Sequence, residues 1–143
     1  MERTLLCEIV TPERIVYRNE VRMVVAPTID GEIGILPLHQ PLVSPLDPGE
    51  IRVMHDDDRV EWFAISGGYI QVHEDKVIVL ADQAAASSQI DVERARQALQ
   101  HAKERMDELS SAGDGQAEGE LNACMADLNW CEAQLAVASK KEQ

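Results

Sequence analysis

The sequence predicts an α+β chain in which an antiparallel β-sandwich or barrel comes first and an antiparallel pair of helices follows. Three observations predict it. Short apolar segments of period two fill the chain up to Ser88, broken by turn signals every 8 to 12 residues or so. A dense run of turn residues, DGEIGILPLHQPLVSPLDPG, occupies Asp30 to Gly49. Beyond Gln83 the β-branched residues thin out, alanine rises, and apolar residues recur every three or four positions.

In chain order, LLCEIV and IVYRNEVRMVVAP supply the opening strands. Asp30-Gly31 is a hairpin signal, because glycine accepts the positive φ of a tight turn. Ile51 to Met54, Val60 to Ile65, Tyr69 to Val72 and Val77 to Leu80 follow, separated by HDDDR, SGG and HEDK. Arg52, Glu61 and Gln71 interrupt their apolar residues, as strands with one wet face require. Asp91 is placed to cap a helix of about five turns with Ala95, Ala98, Leu99, Ala102, Met106 and Leu109 on one stripe. SSAGDG, Ser110 to Gly115, is expected to end it, and Leu121, Cys124, Met125, Leu128, Cys131 and Leu135 form the stripe of a second helix. The expected boundaries are 1–88 for the sandwich and 89–143 for the helical arm. Many seam residues are small, so the arm should be weakly held.

Composition restricts function. With 143 residues, 45% of them hydrophobic, the chain can bury one modest core and an appendage. A net charge of −13 repels nucleic acid and anionic lipid as direct partners. No apolar run approaches the roughly 20 residues of a membrane span, and the N-terminus lacks a signal-peptide core, so direct membrane insertion is not expected and a cytoplasmic placement is. Cys7, Cys124 and Cys131 are read as reduced thiols, the last two being roughly 10 Å apart along one helix, beyond the reach of a disulfide.

Catalytic chemistry is hard to place. No nucleophile and base can be paired, and Ser66-Gly67-Gly68 lacks the nucleophile-elbow pattern, its glycines reading better as a strand bend or close backbone approach. There is no glycine-rich phosphate loop. His39, His55, His73 and His101 show no metal spacing with the cysteines, and Asp56, Asp57 and Asp58 read as a solvated turn. No catalytic or metal residue is therefore expected. The alternative is a small β-sandwich enzyme or metal- or ligand-binding module using His39 and the Asp56 to Asp58 turn.

The segments GEIGILPLHQPLVSPLDPGEIRV, WFAISGGYIQV, KVIVLAD and IDVERA, in this order and spacing, closely resemble the epsilon subunit of F-type ATP synthases over residues 4 to 110. That resemblance implies a sandwich of about ten strands with a two-helix hairpin, and a non-catalytic rotor subunit of a proton-translocating enzyme, coupling proton flow to ATP synthesis. It implies the gamma subunit and the c-subunit ring as partners, the alpha/beta catalytic head as a further partner of the arm, and a peripheral place at the cytoplasmic face of the cell membrane. It assigns the loop Asp30, Gly31, Glu32, Ile33 and Gly34 to the ring side and His39 to the gamma side.

Some members switch the arm between folded and extended states, and some bind ATP in the folded one. Their motif of Ile or Leu, Asp, two variable residues, Arg and Ala is matched by Ile90, Asp91, Arg94 and Ala95. ATP is thus implied as a weak regulatory ligand and no tight cofactor is expected. The second helix departs from the pattern. Glu118 to Ser139 holds no basic residue, and Asn129 falls where alignment expects an arginine. Glu118, Glu120, Asp127 and Glu132 make this helix negative, which disfavours an acidic partner surface and tight ATP binding.

Overall fold

The computed structural model describes residues 3–38, 40–112 and 118–140. Ten strands come first: β1 (Leu5–Val10), β2 (Ile15–Val21), β3 (Met23–Thr28), β4 (Gly31–Ile35), β5 (Leu42–Leu46), β6 (Gly49–Met54), β7 (Val60–Ile65), β8 (Gly68–His73), β9 (Lys76–Ala81) and β10 (Ala84–Ala86). A 3-10 turn, Ser87–Gln89, leads to α1 (Val92–Ala112) and then α2 (Glu118–Ala138). The strands are ordered β10-β7-β6-β3-β5-β8-β9-β1-β2, with β4 paired to β3 off that path. The sheet folds over at β3, whose Met23 to Val25 pair with β6 and whose Thr28 pairs with β5. Two layers result, and their facing sides form the core.

Alternation decides what enters that core. Leu5, Cys7 and Ile9 of β1, Ile70 and Val72 of β8, and Val77 and Val79 of β9 point inward from one layer, against Val24, Ile51, Val53, Phe63 and Ile65 of the other. All are 2% exposed or less. Burying one such large side chain contributes about 1.5–3 kcal/mol, so this interior is the main source of stability.

IVYRNEVRMVVAP supplies two of the opening strands, because at Arg22 the chain turns from one layer to the other, its amide donating to the Met54 carbonyl. Several local expectations need correction. The β3–β4 turn is centred on Ile29 and Asp30, one residue earlier than expected, with the positive φ of 116° falling on Gly31. The sandwich is not wholly antiparallel: β1 lies between β2 and β9 and runs parallel to β9. Ala84 to Ala86 open no helix. They form β10 against Phe63 to Ile65, where pairing with β7 outweighs alanine's helical preference. The first helix runs three residues into the SSAGDG turn, to Ala112.

Gly68 shows why the SGG segment is needed. Its φ is 142°, and a Cβ there would lie 2.0 Å from the Leu80 carbonyl oxygen, so β8 and β9 approach too closely for any side chain.

The helices pack on each other and, through α2, on the outer side of β6 and β7. Ala95 and Ala102 of α1 are buried, as are Cys124 and Cys131 of α2, while Met125, expected in the seam, is exposed. A second face of α2 presents Ala133 and Val137 to Ala64 and Ile90, with Trp62, Ala85, Trp130 and Ala138 around them. Apolar residues therefore lie on two sides of α2, one toward α1 and one toward the sandwich.

Candidate functional site

Asp91 starts α1 as an N-cap. Its side-chain Oδ1 accepts from the Arg94 amide at 3.2 Å, and its carbonyl accepts from the Ala95 amide. The next turns carry Arg94, His101 and Arg105 along one side, and α2 brings Asp127, Trp130, Cys131 and Gln134 opposite them. Between the helices lies an open cleft of about 450 Å³. Asp91, Arg94 and Ala95 line it, and Ile90 does not: Ile90 is buried against Ala64 and Val137 and ties the start of the arm to the sandwich. The four motif residues thus divide into one anchor and three cleft residues.

Charge in the cleft is mixed. Arg105 reaches Glu120 across the hairpin at 3.6 Å, whereas no ion pair holds the Arg94 guanidinium among the described residues. Cys124 and Cys131 are free thiols. Burial, with the charges of Asp127 and Glu132, pushes the Cys131 thiol up, away from the reactive thiolate. Asn129, where an arginine would be expected, does not line this cleft. It faces a shallower depression with Asp47, Pro48, Gly49 and Glu132. The sequence reading missed Trp130, Asp127 and Gln134, whose positions at 127, 130, 131 and 134 recur at helical spacing and were available as a signal.

Asp30, Gly31, Glu32 and Gly34 are exposed at the β3–β4 hairpin, and Ile33 is half-buried against the core. His39 lies outside the described residues. Its neighbours Leu36 and Leu38 are exposed, at 52% and 70%, as is Ile29 at 57%, whereas Ile35 is fully buried and Leu42 packs on the core. The proline-rich stretch therefore divides between core filling and open surface.

One outer face of the sandwich is left uncovered by the described residues. Register places Pro45, Tyr69, Leu80, Val10 and Ile15 side by side across β5, β8, β9, β1 and β2. Strands lie about 4.8 Å apart, so this is an apolar row about 19 Å long. Tyr69 and Ile15 are more than half exposed, Leu80 is nearly so, and Val43 in the next row is 69% exposed. A groove along the row is walled by Thr11, Pro12, Pro45 and Tyr69. The signal was present in KVIVLA, where apolar residues occupy both parities of a strand, a pattern of strands covered on both faces.

A polar cluster closes one end of the core. Tyr17 donates to Glu61 Oε2 at 2.7 Å, and His55 Nε2 lies 2.7 Å from the same oxygen. Burial pushes the Glu61 carboxyl up, but hydrogen bonds from Tyr17 and His55 and the charges of His55 and Arg59 outweigh it and hold the group below its ordinary value. Burial and the bond to Glu61 raise the Tyr17 phenol. Burial, then the charges of Glu8 and Glu61, push the Cys7 thiol to about 12. Asp56, Asp57 and Asp58 form an exposed turn beside this cluster, where Asp58 reaches Arg22 and Asp57 reaches Arg59. Among the described residues no group of three His, Cys, Asp or Glu side chains is placed to hold a metal. No described helix is long and apolar enough to cross a membrane.

Comparison with known proteins agrees in sequence and in shape. Residues 4–87 match the family described as ATP synthase, Delta/Epsilon chain, beta-sandwich domain. The chain is 50% identical over 99 residues to the ATP synthase epsilon chain of Carboxydothermus hydrogenoformans, covering 69% of this chain and 73% of that one. To the ATP synthase epsilon chain of Moorella thermoacetica it is 42% identical over 126 residues, covering 87% and 94%. Among solved structures, a chain of the Euglena gracilis mitochondrial ATP synthase, OSCP/F1/c-ring in rotational state 1, has a TM-score of 0.76 at 22% identity, covering 95% of this chain and 81% of that one. At that identity the likeness speaks for the fold.

Proposed function

The chain belongs to the ATP synthase epsilon chain family, and on that premise we propose that it is a non-catalytic central-stalk subunit of a proton-translocating ATP synthase. It rides with the rotor at the cytoplasmic face of the membrane and couples proton flow to ATP synthesis. Residues 1–88 are its rigid body and 89–143 its movable arm.

The observation that carries this reading is the apolar row Pro45, Tyr69, Leu80, Val10 and Ile15. The opposite outer face is covered by α2, whereas no described element covers this one, and contiguous apolar surface of this kind fits a protein partner. We assign it, with Leu36, Leu38 and the neighbouring His39, to the gamma subunit. The hairpin Asp30 to Gly34 is assigned to the c-subunit ring. A closed sandwich transmits load between these two contacts without shearing, and nothing in that task requires a reacting group.

The interhelical cleft supports a second, regulatory reading. Arg94 is free to meet a phosphate and Trp130 offers an aromatic face. Asp91 and Asp127 oppose an anionic ligand there, so ATP binds weakly and the arm contacts the acidic catalytic head mainly through the basic residues of α1.

Calorimetric titration of the full chain with purified gamma subunit, then with ATP, tests both readings. Saturable binding to gamma, lost in Tyr69→Glu, is expected; a chain that ignores gamma would sink the stalk assignment. A weak heat with ATP that disappears in Arg94→Ala is expected from the cleft, and tight binding that survives Arg94→Ala would place the nucleotide elsewhere.

A further inference from the structure

Two cations from distant parts of the chain meet at Trp62. The Arg52 guanidinium carbon stands 5.6 Å from the ring centroid, and Lys140 Nζ, just beyond the end of α2, stands 4.5 Å from it. Each cation has an anion of its own. Arg52 Nη2 donates to Glu32 at 3.2 and 3.3 Å, and Lys140 Nζ lies 3.8 Å from Glu50. Pairing of β6 with β7 sets Arg52 beside Trp62 and Glu50 beside Ala64, on the outer face that receives Ala133 and Val137 of α2. Glu32 belongs to β4, in the exposed hairpin at the other end of this chain of contacts.

We propose that Trp62 is a latch plate that links the β3–β4 hairpin to the docking of the arm. Lys140 holds the foot of α2 down on the ring and on Glu50. Arg52 shares the ring and repels Lys140, and Glu32 neutralises that repulsion. The Arg52 Nε is buried without a hydrogen-bond partner, so among the described residues Arg52 has Glu32 and the ring for its polar contacts. A basic group that takes Glu32 away from Arg52 restores the repulsion and loosens the arm. The hairpin therefore reports its occupancy to α2 by electrostatics, with no movement of the sandwich. Both charge pairs lie within this chain, so the latch stands or falls independently of the assignment to a stalk.

The test is acrylamide quenching of Trp62 in the full chain carrying Trp130→Phe, which leaves one tryptophan of the two in the sequence. Val137→Asp, which drives the arm off by placing a charge in the buried contact, fixes the fully exposed end of the scale. A cation over an aromatic ring at such a half-exposed site makes Lys140→Gln raise the undocked fraction about two- to fivefold. Glu32→Gln is expected to raise it about twofold when Lys140 is present and to add nothing when Lys140→Gln is already there. The coupling is overturned if Glu32→Gln has the same effect in both backgrounds, or if neither substitution moves the quenching. High salt gives a second reading of the same point: it must raise quenching in the parent chain and leave Lys140→Gln unchanged.

Discussion

The sandwich interior and the seat of the arm are both apolar contacts, yet they are built from different side chains. Phe63, Leu5, Ile9, Ile51, Ile65 and Ile70 fill the first, all fully enclosed between two layers. Ala64, Ala133, Val137 and Ile90 make the second, with Trp62 and Trp130 half-covered at its margin. Apolar burial scales with area, so the contact made mostly of alanines holds less free energy than the one made of branched and aromatic residues. Body and arm share one chain, and the difference between them is a difference in what can come apart first.

The largest expected effect breaks the body. Phe63→Ala removes the central aromatic, which also packs at a tilt against Tyr17 with ring centroids 4.8 Å apart, and should cost about 3–5 kcal/mol. Chemical denaturation should show the sandwich transition collapsing, with the arm lost at the same time because β7 carries its seat. A loss under about 1 kcal/mol would mean that the core repacks and that the body owes its stability to something other than this interior.

Val137→Ala sharpens the contrast from the other side. Val137 is fully buried at the seat of α2, and the two carbons lost are worth about 1.6 kcal/mol at roughly 0.8 each. Quenching of Trp62 should rise while the sandwich midpoint in denaturant stays where it was. Should the sandwich midpoint drop by as much as the arm loosens, body and arm would be one cooperative unit and the division between them would be wrong.

What the sequence disclosed follows from the same contrast. Strands that alternate, such as LLCEIV and GYIQVH, were legible because one wet face and one dry face leave a period-two trace. Leu42–Leu46 and Ala84–Ala86 were not, since proline in the first and alanine in the second carry no strand signal and only pairing with β8 and β7 makes them strands. In the arm, the stripe toward α1 was readable, but the second face of α2 was hidden, because Ala133 and Val137 gain meaning only from Ala64 on another element. The cleft was half visible: Asp91 and Arg94 stand in a local motif, whereas Trp130 and Asp127 join them through the helix pairing. Asn129, singled out by alignment, turns to a different depression.

The smallest expected effect concerns the polar end of the core, where body and arm differ in kind. Tyr17, His55 and Glu61 give the sandwich a titratable contact against its core, whereas the titratable contact of the arm, Lys140 with Glu50, lies at the rim of its seat. Glu61 is held below its ordinary value of 4.5. A carboxylate lowered in the folded state adds stability that is complete above the unfolded value and is lost as pH falls through the folded one. The sandwich should therefore lose stability below about pH 4.5 more steeply in the parent chain than in Glu61→Gln. Glu61 is 39% exposed, so solvent screens much of the interaction, and the separation between the two melting curves should amount to a few degrees at most. Curves that stay parallel from neutral pH into acid would show that His55 and Tyr17 hold Glu61 in place without favouring its charge. Curves that separate in the sandwich transition and coincide in Trp62 quenching would locate the acid sensitivity in the body alone.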